Sequence, residues 1–183
     1  MATQAIPPAD SESADLVRRA QLGDSEALGE LYDAFGAGLY RLAYRLTGCR
    51  EDAEDVVHDV FVGLPEALGR YEERGRLGAW LRRVTARVAL MRLRRNNQRR
   101  EVELEDADGV AAPTPHDRTS EHATLQAAVD ALPVAQRSVL VLKEMEGYSH
   151  AEIADMLSIT PVTSRVRLLR ALRRVRRELE DHR

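Results

Sequence analysis

Arginine is concentrated near the end of the chain in a pattern suited to binding a polyanion. Seven arginines and no acidic residue fall between Arg165 and Arg177. A solvent-exposed helix without a binding partner usually carries charges of both signs, so simple solvation explains this segment poorly. Side chains of one charge repel each other unless a counter-charge lies nearby, and nucleic-acid phosphate is the common one for arginine. The segment therefore predicts a DNA-contacting helix.

A second arginine cluster lies near the middle of the chain. Residues 76–100 hold nine arginines and no acid, whereas residues 1–75 hold seven basic and fifteen acidic side chains. Residues 101–160 are acidic again, with three basic and twelve acidic side chains. The net charge is only −3, but the sequence reads acidic, basic, acidic, basic. This distribution indicates two modules, each with one DNA-facing surface.

Carboxylates follow one face of a helix expected over residues 51–69. These acidic residues are Glu51, Asp52, Asp55 and Asp59, with His58 at their edge. Acids in a first helical turn complement the helix dipole, which accounts for Glu51 and Asp52 but not for Asp59, two turns further on. A stripe of one charge with no lysine beside it predicts a docking face for a basic protein surface.

Enzymatic constellations are not found in the sequence. It has no glycine-rich phosphate loop, nucleophile elbow or metalloprotease motif. The five histidines and Cys49 are not at metal-ligand spacing, so we expect no metal and no cofactor. A single cysteine suits a reducing cytosol. No apolar segment approaches the roughly 20 residues that cross a bilayer, and the N-terminus does not resemble a signal peptide. We expect a cytoplasmic, non-enzymatic protein without membrane insertion.

Composition and periodicity predict an all-α protein with two small helical domains. Hydrophobic residues make up 44% of the 183 residues, and helix-favouring alanine, leucine, arginine and glutamate are abundant. We expect residues 1–13 to be a disordered tail and residues 14–98 the first domain. Residues 99–120 are expected to be a flexible acidic linker, and residues 121–183 the second domain.

Local signals place the expected helices. In the first domain, helices are predicted over residues 14–22, 25–47 with Ser25 as N-cap, 51–69 with a kink or break at Pro65, and 79–96. In the second domain, Ser149 and Glu152 have the spacing of a capping box. Thr160 is predicted as an N-cap, followed by Pro161 at the first helical position. Two helices joined by a tight turn, the second basic, are typical of a helix-turn-helix. Its second helix is expected to face the core through Leu168, Leu172, Val175 and Leu179.

Three stretches together resemble one bacterial family. They are RLTGCREDAEDVVHDVFVGLPEAL, RGRLGAWLRRVTARVAL and LPVAQRSVLVLKEMEGYSHAEIADMLSITPVTSRVRLLRALRRV. In order and spacing they resemble the extracytoplasmic-function (ECF) sigma factors of the sigma-70 family, over residues 14–97 and 121–179. The resemblance implies a promoter-specificity subunit of RNA polymerase with two helical domains and a helix-turn-helix in the second.

The resemblance also implies which residues bind which partner. Binding of core RNA polymerase through the coiled coil of its β′ subunit would use Asp52, Asp55, Val56, His58 and Asp59. Recognition and melting of the minus-ten promoter element would use Arg74, Arg76, Trp80, Arg83, Arg87 and Met91. Recognition of the minus-thirty-five element in the major groove would use Arg165, Val166, Leu169 and Arg170. The helical wheel adds three residues suited to phosphate contact, which are Thr163, Arg167 and Arg173.

Further partners follow from the same resemblance. The β flap of polymerase and an anti-sigma factor are expected partners, and the chain is expected at the nucleoid when it is bound to polymerase. The acidic linker is expected in a positively charged polymerase channel. From the residues alone, it stays open whether Trp80 stacks on a base or is a plain core residue.

Several positions depart from the family pattern. Val166 stands in place of a serine, Arg87 of an asparagine, Met91 of an aspartate, and Pro65 of a frequent tryptophan; these departures bear on the promoter sequence.

One alternative function is that of a stand-alone helix-turn-helix regulator that binds duplex DNA. Another is an adaptor whose arginine helices bind an acidic protein.

Overall fold

The computed structural model describes residues 10–72, 76–104 and 121–180, and the side chains of residues 14–72, 76–96 and 125–180. Within these ranges all regular secondary structure is helical, which confirms the all-α prediction. The chain divides into two compact units after Leu93.

The first unit is built from helices around a leucine-rich core. Its helices are α1 (Asp10–Gln21), α2 (Ser25–Thr47), α3 (Arg50–Val62), α4 (Leu64–Leu68) and the first part of α5 (Leu77–Leu104). Side chains that are completely or almost completely buried include Leu31, Leu39, Leu42, Leu46, Val56, Leu64, Leu68 and Leu81. Burying such side chains stabilises the unit by about 1.5–3 kcal/mol each, before the entropy cost of ordering the chain is subtracted.

The start of the first unit differs from the sequence prediction in two details. Helix α1 begins at Asp10 rather than at residue 14, because nothing after Pro8 in the sequence interrupts a helix. Residues 10–13, expected in the tail, are therefore helical, and residues 1–9 lie outside the described residues. The N-cap of α2 is Asp24 rather than Ser25. Its Oδ1 accepts hydrogen bonds from the backbone N–H groups of Glu26, at 2.9 Å, and Ala27, at 3.4 Å. The carboxylate also pairs with Arg19, whose hydrogen bond lowers the pKa of Asp24.

Pro65 interrupts the third predicted helix, as expected. Helix α3 ends at Val62, and α4 begins at Leu64 with Pro65 in its first turn. Proline has no N–H for the helical ladder and its ring clashes with the preceding turn, but both defects are tolerated where a helix starts. Gly63 joins the two helices.

Helix α5 is longer than its sequence pattern indicated. It runs from Leu77 to Leu104, whereas residues 79–96 were expected. No glycine or proline follows until Gly109, so the helix continues into the first residues of the predicted acidic linker. The rest of that linker, residues 105–120, lies outside the described residues.

The second unit contains the helix-turn-helix. Its helices are α6 (Glu121–Asp130), α7 (Val134–Leu140) with a π-helical turn (Val141–Met145), α8 (His150–Leu157) and α9 (Pro161–Glu180). One cluster of buried side chains joins α6, α7 and α9, with Leu168 and Val175 packed partly against it, and consists of Val129, Leu132, Leu140 and Ala171.

The buried face of α9 is rotated relative to the prediction. Ala171 and Ser164 are fully buried, whereas Leu172, expected in the core, is 44% exposed. Leu168 and Val175 are half-buried, as is Leu179. Ser164 and Ala171, rather than the larger leucines, are the fully buried residues of α9 and so mark the centre of its buried face.

Candidate nucleic-acid and protein interfaces

Local capping sets both helices of the helix-turn-helix. The Ser149 N–H donates to Glu152 Oε2 at 2.9 Å and the Glu152 N–H donates to Ser149 Oγ at 3.2 Å, which confirms the predicted capping box. Helix α8 ends at Ser158, whose φ of 54° is left-handed. Thr160 then caps α9 by accepting from the Thr163 N–H at 3.1 Å. These caps satisfy backbone groups that helix ends otherwise leave unpaired, and they fix where α9 begins.

His150 and Ser164 connect the first turn of α8 to the first turn of α9. His150 Nδ1 and Ser164 Oγ are 2.9 Å apart, and Ser164 is fully buried. Burial lowers the pKa of His150, and the positive charges of Lys143 and Arg165 lower it further, while Glu144 opposes them. The imidazole is therefore neutral near pH 7, and it is the hydrogen-bond partner of the buried Ser164 hydroxyl.

The outer face of α9 presents the side chains that the family motif assigns to the minus-thirty-five element. Arg165 and Arg170 are exposed, and Val166 and Leu169 are 40% and 48% exposed. Arg173 is exposed on the same side. Among the side chains that the structure describes, none of these arginines forms an ion pair, so their charge faces solvent.

Thr163 and Arg167 lie beside this face rather than on it. Each follows an outward-facing valine by one residue, so it is turned about 100° around the helix axis. Both are half-buried, and the Thr163 hydroxyl lies 2.9 Å from that of Thr160. Thr163 thus takes part in the helix cap, and both positions suit the flank of the helix.

One face of α5 brings together the described residues predicted for the minus-ten element. Arg76, just before the helix, and Arg83, Arg87 and Met91 within it are exposed. Their spacings of seven, four and four residues place them along one side of a helix. Arg74 belongs to the same prediction but lies outside the described residues.

Trp80 lies on this face and contacts Tyr71. Their ring centroids are 4.8 Å apart, with the planes tilted by 44°. Trp80 is half-buried, so it is neither a plain core residue nor a fully displayed one. A partly accessible aromatic ring beside exposed arginines can stack on an unpaired base.

Helix α3 presents only part of the predicted acidic docking face. Asp55, His58 and Asp59 are exposed, with 57%, 77% and 57% of their side-chain surfaces accessible. Val56, predicted to bind polymerase, is completely buried, so that prediction is wrong for its side chain. Val56 faces the core because it lies three residues after Ala53 and four before Val60, so the three buried side chains share one side of α3.

Arg92 on α5 supplies a counter-charge that the sequence did not reveal. Its Nε donates to Asp52 Oδ1 at 2.6 Å, and its guanidinium also donates to Asp55. The expectation of an unpartnered stripe is therefore wrong for these two carboxylates, and Arg92 does not belong to the DNA-facing side of α5. No local pattern reveals a pairing across about 40 residues of sequence.

An apolar groove borders the acidic face. It has a volume of about 890 Å³ and lies between α2 and α3. Tyr32 and Phe61 form an edge-to-face pair within it, with centroids 5.0 Å apart, and Val62 and His58 complete its rim. The sequence did not predict this groove, because no sequence pattern showed that Tyr32 and Val62 would be exposed.

The described parts of the chain contain no candidate metal site and no candidate membrane-spanning helix. In residues 10–72, 76–104 and 121–180, no group of three or more histidine, cysteine, aspartate or glutamate side chains is placed to hold a metal ion. No helix in these same ranges is long and apolar enough to cross a membrane.

Family comparisons match both units. Residues 31–100 match sigma-70 region 2, and residues 122–175 match sigma-70 region 4. The chain is 34% identical to the ECF RNA polymerase sigma factor SigE of Mycolicibacterium smegmatis, over 97% of this chain and 72% of SigE. It is 32% identical to the ECF RNA polymerase sigma factor SigM of Mycobacterium tuberculosis, over 93% of this chain and 86% of SigM.

Solved structures share the fold. The sigma factor RpoE of Bartonella quintana, solved with the anti-sigma factor NepR, superposes with a TM-score of 0.60 at 22% identity, over 80% of this chain and 92% of RpoE. CnrH, solved with the cytosolic domain of CnrY, gives a TM-score of 0.54 at 26% identity, over 91% of this chain and 96% of CnrH.

Together these matches settle the choice between the functions left open by the sequence. A stand-alone helix-turn-helix regulator would account for the second unit but not for a sigma region 2 in the first. Two sigma regions in the right order, with curated relatives matched over most of their length, account for both. The chain belongs to the ECF group of RNA polymerase sigma factors in the sigma-70 family, and it is a promoter-recognition subunit that binds RNA polymerase and promoter DNA.

Proposed function

We propose that this sigma factor divides its contacts among three surfaces of its own chain. The α3 carboxylates Asp55 and Asp59, with His58, dock on the coiled coil of the polymerase β′ subunit. The outer face of α5 holds the minus-ten element, and the outer face of α9 holds the minus-thirty-five element. The observation that carries the proposal is the charge of these exposed faces, which is acidic on α3 and basic on α5 and α9.

The proposed mechanism uses binding energy and no chemical step. Arginines on α5 and α9 bind phosphates, and contacts to base edges supply sequence preference. Trp80, held against Tyr71, stacks on an unpaired base and so offsets part of the cost of opening the duplex. Sigma factors are regulatory subunits without catalysis as a family, and we propose the same for this chain.

Asp52 has a different role from its neighbours in this scheme. Only 21% of its side chain is accessible, and it is held by Arg92. It therefore supports the acidic face from below, while Asp55 and Asp59 are the carboxylates that a basic partner reaches first.

Partners and location complete the proposal. Because RpoE and CnrH were each solved with a partner, which for RpoE is named as an anti-sigma factor, we propose that an anti-sigma factor also binds this chain. The β flap of polymerase is a further proposed contact of the second unit. We propose that the protein is cytoplasmic and is found at the nucleoid when it is bound to polymerase. We also propose that the acidic linker, predicted over residues 99–120, occupies a basic channel of polymerase.

Charge reversal on α3 tests the polymerase-docking surface. Asp55→Lys and Asp59→Lys should each weaken binding to purified bacterial core RNA polymerase by roughly tenfold, because like charges would then face each other. Glu26→Lys is the matched control, since Glu26 is also an exposed carboxylate of the first unit but lies on α2 rather than on the α3 face. Equal affinity for all three variants and the unchanged protein would overturn the assignment.

A further inference from the structure

Three apolar side chains form an exposed stripe at the start of α9. Val162, Val166 and Leu169 are 63%, 40% and 48% exposed. Their spacings of four and three residues place them on one side of the helix. Val162 and Leu169 are seven positions apart, which is about 10 Å along the helix axis at 1.5 Å per residue.

This stripe is not a misplaced part of the core. The core side of α9 is defined by the buried residues Ser164 and Ala171, together with Leu168 and Val175. On a helix of 3.6 residues per turn, Val162 and Val166 lie roughly opposite Ser164 and Ala171. The stripe therefore remains in water in the free protein, and covering it would recover favourable hydrophobic free energy.

The charges around the stripe indicate what covers it. Arg165, Arg170 and Arg173 are exposed on its borders, and no acidic residue occurs between Pro161 and Arg177. The partner must therefore be strongly anionic and still offer small apolar groups within about 10 Å. The major groove of DNA has both properties, because thymine alone among the four bases displays an apolar group there, its C5 methyl.

We propose that Val162, Val166 and Leu169 contact thymine C5 methyl groups, so that the minus-thirty-five element read by this sigma factor carries thymines within about three consecutive base pairs. The proposal rests on the assignment of α9 to that element. Val162 becomes a specificity-determining residue that the family motif did not mark. The exposed arginines beside the stripe hold the phosphates and the polar base edges.

Replacing thymine by uracil tests the contact one methyl at a time. Holoenzyme assembled from the full chain and core polymerase first selects promoters from a library randomised across the minus-thirty-five region. Thymines in the selected element are then replaced singly by deoxyuridine, which removes the C5 methyl and leaves every hydrogen-bonding group in place. Each contacted thymine should lose about three- to fourfold in promoter affinity, the size expected for one buried methyl group.

Variants assign the effect to the stripe. Val166→Thr keeps the shape of the side chain but replaces one methyl by a hydroxyl, so the loss caused by uracil should shrink at the thymine that Val166 touches. Leu172→Asn is the matched control, because Leu172 is 44% exposed on the same helix but outside the stripe. It should leave the uracil effect unchanged.

Several results would overturn the proposal. These are a selected element without thymine enrichment, uracil substitutions without effect, or an equal uracil effect in Val166→Thr and the unchanged protein. Weakened binding of Val166→Thr to core polymerase, with unchanged promoter preference, would show that the stripe contacts protein instead. A library from which the unchanged holoenzyme enriches no promoter at all would contradict the proposed function itself, and the thymine contact would fall with it.

Discussion

Arg92 donates from Nε to Oδ1 of Asp52 at 2.6 Å, which joins the basic helix α5 to the acidic helix α3. The guanidinium also reaches Asp55. The hydrogen bond that Arg92 donates to Asp52 is the main cause that raises the pKa of Arg92, with smaller contributions from the charges of both aspartates. The two helices that carry surfaces proposed for different partners are thus joined by one ion-pair cluster.

Removing the Arg92 charge should destabilise the first unit. Arg92→Met keeps most of the apolar stem of the side chain but removes the guanidinium that pairs with Asp52, whose side chain is only 21% accessible. We expect a loss of about 1 kcal/mol in the free energy of unfolding, because the site is partly open to solvent. Urea unfolding followed by the fluorescence of Trp80, the single tryptophan, reports on this unit. Arg87→Met, an exposed arginine on the same helix, should change the midpoint little; equal effects of the two substitutions would argue against the pairing.

The His150–Ser164 contact should make the second unit sensitive to mild acid. Because the folded-state pKa of His150 is lowered below its ordinary value of 6.5, the unfolded chain binds the proton more readily. The stabilising contribution is complete above about pH 6.5 and is lost as pH falls through the lower folded-state pKa.

His150→Asn provides the comparison for this pH dependence. Asparagine can place a polar atom close to the position of Nδ1 but does not titrate. Between pH 7.5 and pH 5.5, the protection factors of the amides in α8 and α9, which correct for the slower intrinsic exchange in acid, should fall more in the unchanged protein than in His150→Asn. Parallel pH profiles for the two proteins would contradict the expected role of this histidine.

Ser158 should be a site of stored backbone strain. Its φ and ψ of 54° and 48° are left-handed, a conformation that glycine adopts without cost and other residues do not. Ser158→Gly should therefore stabilise the helix-turn-helix by roughly 0.5–1 kcal/mol, because the strain removed exceeds the extra entropy that glycine brings to the unfolded chain. Ala151→Gly, on the exposed face of α8, should destabilise it by a similar amount. Slower amide exchange in the first variant and faster exchange in the second would support this assignment, whereas the same sign in both would refute it.

Sequence reasoning predicted the features that depend on neighbouring residues. The capping box of Ser149 and Glu152, the Thr160 cap and the interruption at Pro65 are all local, since each is decided within about four residues. Both the helical class and the order of the two units followed from such signals together with the family motifs.

Features that depend on packing could not be predicted in the same way. The helical wheel of α9 could not show that the buried face is centred on Ser164 and Ala171, so it assigned Leu172 to the core. It was also impossible to see from sequence that Arg92 pairs with Asp52 and Asp55, which are 40 and 37 residues away. The residue types were right for charge, but their division between partners was decided by the fold.

The dependence of promoter binding on polymerase tests the central claim most directly. A promoter selected by the holoenzyme is footprinted with the chain alone, with core polymerase alone, and with both together at equal concentrations. We predict protection of the minus-thirty-five and minus-ten elements, with an opened minus-ten region, only when both are present. Equal protection by the chain alone, or no protection by the mixture, would contradict the account of a sigma subunit that binds promoters through α5 and α9 while α3 holds polymerase.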